Sequence, residues 1–277
     1  MHIAMATEPA KPDRPNEDYA GATTDTFVIV DGAGTPAGSD SGCIHGVTWF
    51  ARQLGSSLLH RASTGDATLR EALAEAIDHV ANLHQDTCDL THPGTPSGTV
   101  TAVRIRSGRL EYLVLADSPL VIRYETGDVQ VVMDDREARI GQRYRQGMDA
   151  TTAGTEAHDS ALREYVETLR SHRNQPDGFW VASSDPSAAG QALIGSADQS
   201  DLRDLALLSD GASRSVDRFG VDTWAVVLDR VRNESPLAQI RAVRTAERAD
   251  AAGRRWPRGK ASDDATLIYV SRDLAVS

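Results

Sequence analysis

Thr26-Phe-Val-Ile-Val-Asp31-Gly-Ala-Gly34 is an apolar run of strand-forming residues that ends on a carboxylate and glycines. Residues 26–30 read as a short buried strand, closed by a turn at Asp31-Gly32. A glycine-rich loop follows over residues 32–42. Beyond it Ile44, Val47, Phe50, Leu54 and Leu58 recur at three- and four-residue spacing, which predicts an amphipathic helix to about His60. Upstream, residues 2–7 and 19–23 read as strands. Downstream, Thr68-Leu-Arg-Glu71 has the form of a capping box and opens a second helix, with Leu69, Leu73, Ile77, Val80 and Leu83 as its apolar stripe.

Further out, residues 99–105, 110–116, 119–124 and 129–133 read as strands, with turns at Ser107-Gly108 and Thr126-Gly127-Asp128, and together predict a β-meander. Residues 134–158 are polar and irregular. Helices are expected over 161–172, 186–195 (short) and 224–231, and another starting at Ser235-Pro236, with serine as N-cap and proline in the first turn. Strands are expected over 179–183, 204–209 and 266–270. Strands, two helices, a meander, helices and a last strand do not alternate steadily, so the order favours an α+β layered fold over a doubly wound parallel sheet. No Pro/Gly/Ser-rich linker divides the chain, and one domain over 1–277 is expected.

The chain has 277 residues, 29 basic against 40 acidic, a net charge of −11, and 40% hydrophobic residues. That acidic balance argues against a nucleic-acid partner, and no apolar run approaches the length of a membrane span. The first residues, MHIAMATEPAKPD, lack the basic start and long apolar core of a secretory signal. Two cysteines, Cys43 and Cys88, cannot build a disulfide framework, lack CxxC spacing and have no context that makes a nucleophile. A cytoplasmic protein with free thiols is the expectation.

Four aspartates share one local setting, the edge of an apolar strand beside small residues: Asp31-Gly32, Asp117-Ser118, Asp210-Gly211 and Asp263-Asp264. Asn16-Glu17-Asp18 adds an acidic cluster just before a strand. Any one Asp-Gly is most simply a turn. Together the carboxylates would repel one another unless cations sat between them, and oxygen-only ligands select Mg²⁺ or Mn²⁺. Two such ions about 4 Å apart can activate water for attack on phosphorus. Turn residues and metal cradle both remain open from pattern alone.

The ordered set Asn16-Glu17-Asp18, Asp31-Gly32, Ser97-Gly-Thr-Val-Thr-Ala102, Ala116-Asp117-Ser118, Ser209-Asp210-Gly211 and Asp263-Asp264-Ala-Thr266 resembles the PPM, or protein phosphatase 2C, family of metal-dependent Ser/Thr phosphatases. The resemblance implies a four-layer α-β-β-α sandwich of two antiparallel sheets, with a dinuclear Mn²⁺/Mg²⁺ centre between them. It implies that Asp31 bridges the metals, that the Gly32 carbonyl ligates one, and that Asp210 and Asp263 hold the other. Glu17 and Asp18 would orient metal-bound waters, and Asp117 with Asp210 would match a weaker third site. Asp18 and Asp264 complete the candidate ligands; Asp31, Asp210, Glu17 and Asp18 are the candidate catalytic set. The expected substrate is a phosphorylated protein, or a phosphorylated small molecule, attacked directly by water without a phosphoenzyme.

Several positions depart from the family pattern. Ala33 stands where the family has a histidine thought to protonate the leaving group; His45 is a conceivable substitute but reads more simply as a bystander. Arg14, the candidate phosphate-binding residue, lies three residues before Glu17 rather than four. Ala116 replaces a glycine, which a strand end tolerates, and Asp264 replaces an asparagine. These departures motivate a rival, a catalytically weakened phosphatase fold serving as a binding module. A nucleotide-binding reading of Gly32, Gly34 and Gly38 fails on spacing and on the carboxylate that ends the strand. Substrate choice would rest on loops, plausibly 134–158 and 183–195. The basic run 254–260 reads as a solvated loop.

Overall fold

The alternation in Phe27-Val28-Ile29-Val30 sends neighbouring side chains into two different cores, and all four are fully buried. The computed structural model describes residues 1–35 and 40–272. Residues 36–39 of the glycine-rich loop, Gly38 among them, lie outside the described residues.

One sheet has the order β1 (His2–Glu8), β10 (Ala265–Ser271), β9 (Leu202–Leu208), β6 (Leu120–Tyr124), β7 (Val129–Val132). The other has the order β2 (Tyr19–Ala22), β3 (Thr26–Ala33), β4 (Ser97–Arg106), β5 (Arg109–Leu115), β8 (Leu193–Asp198). Every strand pairing is antiparallel. The sheets pack face to face through Phe27, Ile29, Val114, Ile122, Leu207 and Ile268. On the outer face of the second sheet, Val28, Val30, Val100 and Leu113 meet α1 (Gly46–Thr64) and α2 (Leu69–His84). On the outer face of the first, Val121, Leu208, Leu267 and Tyr269 meet α6 (Asp210–Asp217), α7 (Trp224–Asn233) and α8 (Pro236–Ala249). This is the expected α-β-β-α sandwich.

The local signals for helix ends hold. Thr68 accepts from the Glu71 amide at 3.2 Å while Glu71 reaches back to the Thr68 amide at 2.8 Å. Ser235 caps α8 with Pro236 in the first turn. Other expectations are corrected. The meander is divided: β4 and β5 belong to one sheet, β6 and β7 to the other, and the chain crosses between them at residues 116–119. A strand pair joined by a short connection looks the same in sequence whether or not it stays in one sheet. Residues 134–158 are not irregular but hold α3 (Arg136–Tyr144), α4 (Gln146–Asp149) and the start of α5 (Glu156–Arg170). Residues 179–183 form no strand, only isolated bridges from Phe179 to Arg173 and from Ala182 to Gly98. The short helix stops at Gln191 as a 3₁₀ turn, and Leu193–Asp198 is edge strand β8, whose exposed Leu193 and Ile194 disguise it. No helix among the described residues is long and apolar enough to cross a membrane.

Candidate metal centre

Strand β3 does not stop at Val30. It runs through Asp31, Gly32 and Ala33, paired with Thr99, Gly98 and Ser97 of β4. Asp31 therefore projects from a hydrogen-bonded strand. Thr99 and Thr101 of β4 anchor the corner that carries Asp117. The Thr99 and Ser118 hydroxyls lie 2.5 Å apart, and Thr101 donates to the Ser118 carbonyl at 2.5 Å. Asp210 opens α6, directly after β9, and its amide donates to Asp31 Oδ2 at 3.2 Å. The two Asp-Gly steps are thus brought against each other across the sandwich.

Glycine at both steps is a packing requirement. A Cβ on Gly32 would stand 2.5 Å from the Glu17 carbonyl oxygen, and one on Gly211 would stand 1.9 Å from that of Asp264. These contacts bring the segment carrying Glu17 and the one carrying Asp263-Asp264 to the same place. Asp264 is the clamp between them. Its two oxygens accept the amides of Ala10 at 2.6 Å and Glu17 at 2.7 Å. Asn16 completes the turn, accepting the Asp18 amide at 2.9 Å and donating to Thr7 at 2.7 Å. Asp263 faces cations instead: Arg214 donates to Oδ2 at 2.9 Å and Lys260 to Oδ1 at 2.8 Å.

The electrostatics divide the carboxylates. Burial pushes the Asp31 carboxyl well above the usual carboxylate range, and the charges of Asp18, Asp210, Asp263 and Asp117 push the same way. Asp117 is raised by burial and then by Glu137 and Asp210, and Asp210 by burial and Asp263. Asp18 is pushed up to about 7, chiefly by burial, which the nearby Thr266 and Ser209 hydroxyls only partly offset. Both Asp18 oxygens are buried without a hydrogen-bond partner. Asp263 alone of the set is held low: burial opposes, but Lys260 and Arg214 outweigh it. Unpaired buried carboxylate is costly, and a cation among these groups would relieve every raised member at once. The donor set is all oxygen, as Mn²⁺ or Mg²⁺ requires.

A raised carboxyl pKa costs stability as pH rises, because the folded chain holds a proton that the unfolded chain has lost. For Asp18 the cost starts near the ordinary value of 3.8 and is complete above about 7. Asp18→Asn is therefore expected to melt higher than the parent chain at about pH 8 in chelator, with the gap shrinking toward pH 5. Parallel thermal melts across that range check it; a gap that is flat with pH refutes it.

The Protein phosphatase 2C family matches this chain over residues 7–245. The chain belongs to the protein phosphatase 2C family of metal-dependent phosphatases. Among solved structures, the serine/threonine phosphatase PstP/Ppp of Mycobacterium tuberculosis superposes with a TM-score of 0.58 at 16% identity, covering 99% of each chain. The PPM Ser-Thr phosphatase MsPP of Mycobacterium smegmatis, solved with cacodylate, gives 0.57 at 17% identity over 98% of each chain. Stp1 of Staphylococcus aureus gives 0.58 at 12% identity, covering 98% of this chain and 95% of its own. At these identities the likeness speaks for the fold. No protein of curated function matches the sequence significantly.

In this phosphatase 2C chain the other sequence-predicted residues take different places. Arg14 is exposed in the turn after Lys11; burial raises the Glu17 carboxyl, and the charges of Lys260 and, less, Arg14 pull it down. His45 does not stand among the carboxylates; its Nδ1 lies 3.3 Å from Cys88 Sγ. Ala116 is not simply tolerated: its φ of 69° is left-handed, a conformation that costs an L-residue about 1–2 kcal/mol. Sequence reasoning missed Glu137, at the start of α3, which is pushed up to about 7 by burial and by Asp210 and Asp134. It also missed the buried lattice behind Asp263. Arg214 donates to Glu247 at 2.9 Å, and Arg244 donates to Glu247 at 2.9 Å and to the Asp263 carbonyl at 2.6 Å. An acidic residue in a helix first turn and a lone arginine after Asp-Gly are common in sequence, so neither carries a signal until the fold brings them together.

Proposed function

We propose that this chain is a Ser/Thr protein phosphatase that works with two Mn²⁺ or Mg²⁺ ions at the carboxylate array. The observation that carries the reading is Asp18: a buried carboxylate with both oxygens unpartnered, set among Asp31, Asp117 and Asp210, all raised. Asp31, the Gly32 carbonyl, Asp210 and Asp263 would hold the ion pair, and Glu17 and Asp18 would orient water. Asp117 and Asp210, joined by Glu137, would form the weaker third site. Asp264 is assigned to positioning rather than ligation, since backbone amides occupy both its oxygens. Bound there, such ions supply an activated water and offset the charge that develops on phosphorus. Exposed Arg14, beside Glu17, would take the substrate phosphate by charge-assisted hydrogen bonds. Reduced cysteines at Cys43 and Cys88 fit a cytoplasmic location, and the acidic net charge argues against a nucleic-acid partner.

The purified chain is expected to hydrolyse p-nitrophenyl phosphate and a phosphothreonine peptide with Mn²⁺, and to lose both activities in chelator. No turnover at saturating Mn²⁺ and Mg²⁺ overturns the reading in favour of a binding module. Ala33, exposed at the end of β3, gives a finer test. Without an acid there, a poor leaving group departs unprotonated. Ala33→His is expected to raise phosphopeptide turnover by about 10²-fold and p-nitrophenyl phosphate turnover far less, because nitrophenolate leaves without help. Equal gains on both substrates would deny the acid role to this position.

A further inference from the structure

Cys43, His45, His84 and Cys88 lie in two short pairs far apart in sequence, and the fold closes them into one cluster. Cys43 and His45 sit in the loop ahead of α1, where His45 is the N-cap residue. His84 ends α2, and Cys88 follows in the next turn. One ligand atom from each residue lies within 4.8 Å of the other three. Cys43 Sγ is 3.4 Å from Cys88 Sγ, 3.6 Å from His84 Nδ1 and 3.9 Å from His45 Nδ1, while Cys88 Sγ is 3.3 Å from His45 Nδ1.

These four separations are those expected between the ligands of one small ion. Zinc bound at about 2.3 Å from sulfur and about 2.0–2.1 Å from nitrogen sets its ligand atoms roughly 3.4–3.8 Å apart. Two thiols and two imidazoles with no carboxylate make a soft donor set suited to zinc and unlike the all-oxygen array. The rings are also held in place: Trp49 stacks on His45 with centroids 4.3 Å apart and lies 5.1 Å from His84. His84 is buried, at 2% exposure. A thiol is a poor hydrogen-bond partner, so hydrogen bonding alone gives little reason for four such groups to converge.

We propose that Cys43, His45, His84 and Cys88 bind a structural zinc ion that staples the loop leaving β3 to the end of α2. On binding, the two thiols release their protons to solvent and the two imidazoles bind neutral, leaving a site of zero net charge. Four protein ligands close the coordination shell, so the ion is structural rather than catalytic. The staple adds to a backbone tie already present, the Asp89 amide donating to the Gly42 carbonyl at 2.8 Å. It fixes the start of α1, whose Val47 packs against Gly32 and Gly34. The site stands independently of the carboxylate centre and of the reaction proposed there.

The test is metal analysis of the full chain, purified in reductant without chelator. About one zinc per chain is expected, released on titration of the thiols with p-hydroxymercuribenzoate. The Asp31→Asn/Asp210→Asn variant should keep it, and Cys43→Ser/Cys88→Ser should lose it. Because the cysteine variant could fail to fold, the parent chain is also exchanged with Co²⁺. Thiolate-to-cobalt charge transfer and the intense d–d bands of tetrahedral cobalt are expected. Zinc well below one per chain with only the weak bands of octahedral cobalt overturns the proposal. So does zinc that is lost from the aspartate variant but kept by the cysteine variant.

Discussion

Asp31→Asn is expected to lower Mn²⁺-dependent hydrolysis of p-nitrophenyl phosphate by on the order of 10³-fold or more. The same change should stabilise the metal-free chain, and both effects have one cause. Asp31 has the Asp210 amide at 3.2 Å, and burial, joined by the like charges of Asp18, Asp210, Asp263 and Asp117, raises its pKa. In the metal-free chain that buried carboxyl is a liability at neutral pH, and a neutral amide of equal size removes it. A gain of about 0.5–2 kcal/mol is expected, read as a few degrees in Tm in chelator. With metal the sign is expected to reverse, because a position proposed to hold the ions loses its charge. A Mn²⁺ titration of rate, beside calorimetry in chelator, measures both. Parental turnover at saturating Mn²⁺ would remove Asp31 from the centre. A lower Tm in chelator would show that the protein, not a cation, satisfies this carboxylate.

Asp204→Ala should cost about 3–5 kcal/mol of stability and leave the carboxylate array untouched. Asp204 of β9 sits directly opposite Arg123 of β6, and the guanidinium donates to it at 2.9 and 2.6 Å. Tyr269 adds a hydroxyl at 2.9 Å and Arg232 a further bond at 3.3 Å. The Asp204 side chain is fully buried and that of Arg123 is 6% exposed. Removing the carboxylate strands a buried cation whose other partner, Asp229, is 57% exposed and screened by solvent. The paired replacement Arg123→Met with Asp204→Leu removes both charges and is expected to fall near neutral. Urea denaturation of the three proteins checks this. A single-variant cost below about 1 kcal/mol would mean that the network contributes little.

Much of the architecture was readable because its signals are local. Alternation in residues 26–30 marks a strand whatever it packs against, and Thr68 with Glu71 marks a helix start by contacts within one turn. Motif order ran ahead of the geometry for the carboxylates, since Asp-Gly steps at strand ends are visible one at a time. Where a second element decided the outcome, the reading ran out. Residues 110–124 look like a meander, and only packing assigns β5 and β6 to different sheets. Asp263 and Asp264 are chemically identical neighbours, yet one meets Arg214 and Lys260 and the other meets two backbone amides.

The two cysteines show the limit most plainly. Alone, each lacked a metal-binding spacing; the fold sets each within 3.9 Å of a histidine and 3.4 Å from the other. By itself, then, the sequence determined most strands and helices, the order of the acidic motifs and the family resemblance they carry. Each of those depends on hydrophobic period and backbone preference over a few residues. Only the tertiary structure decided which carboxylates stay unpaired, which are clamped, and that two thiols and two imidazoles converge. Those outcomes depend on burial and on charges brought close from distant parts of the chain, and neither exists until the sandwich has closed.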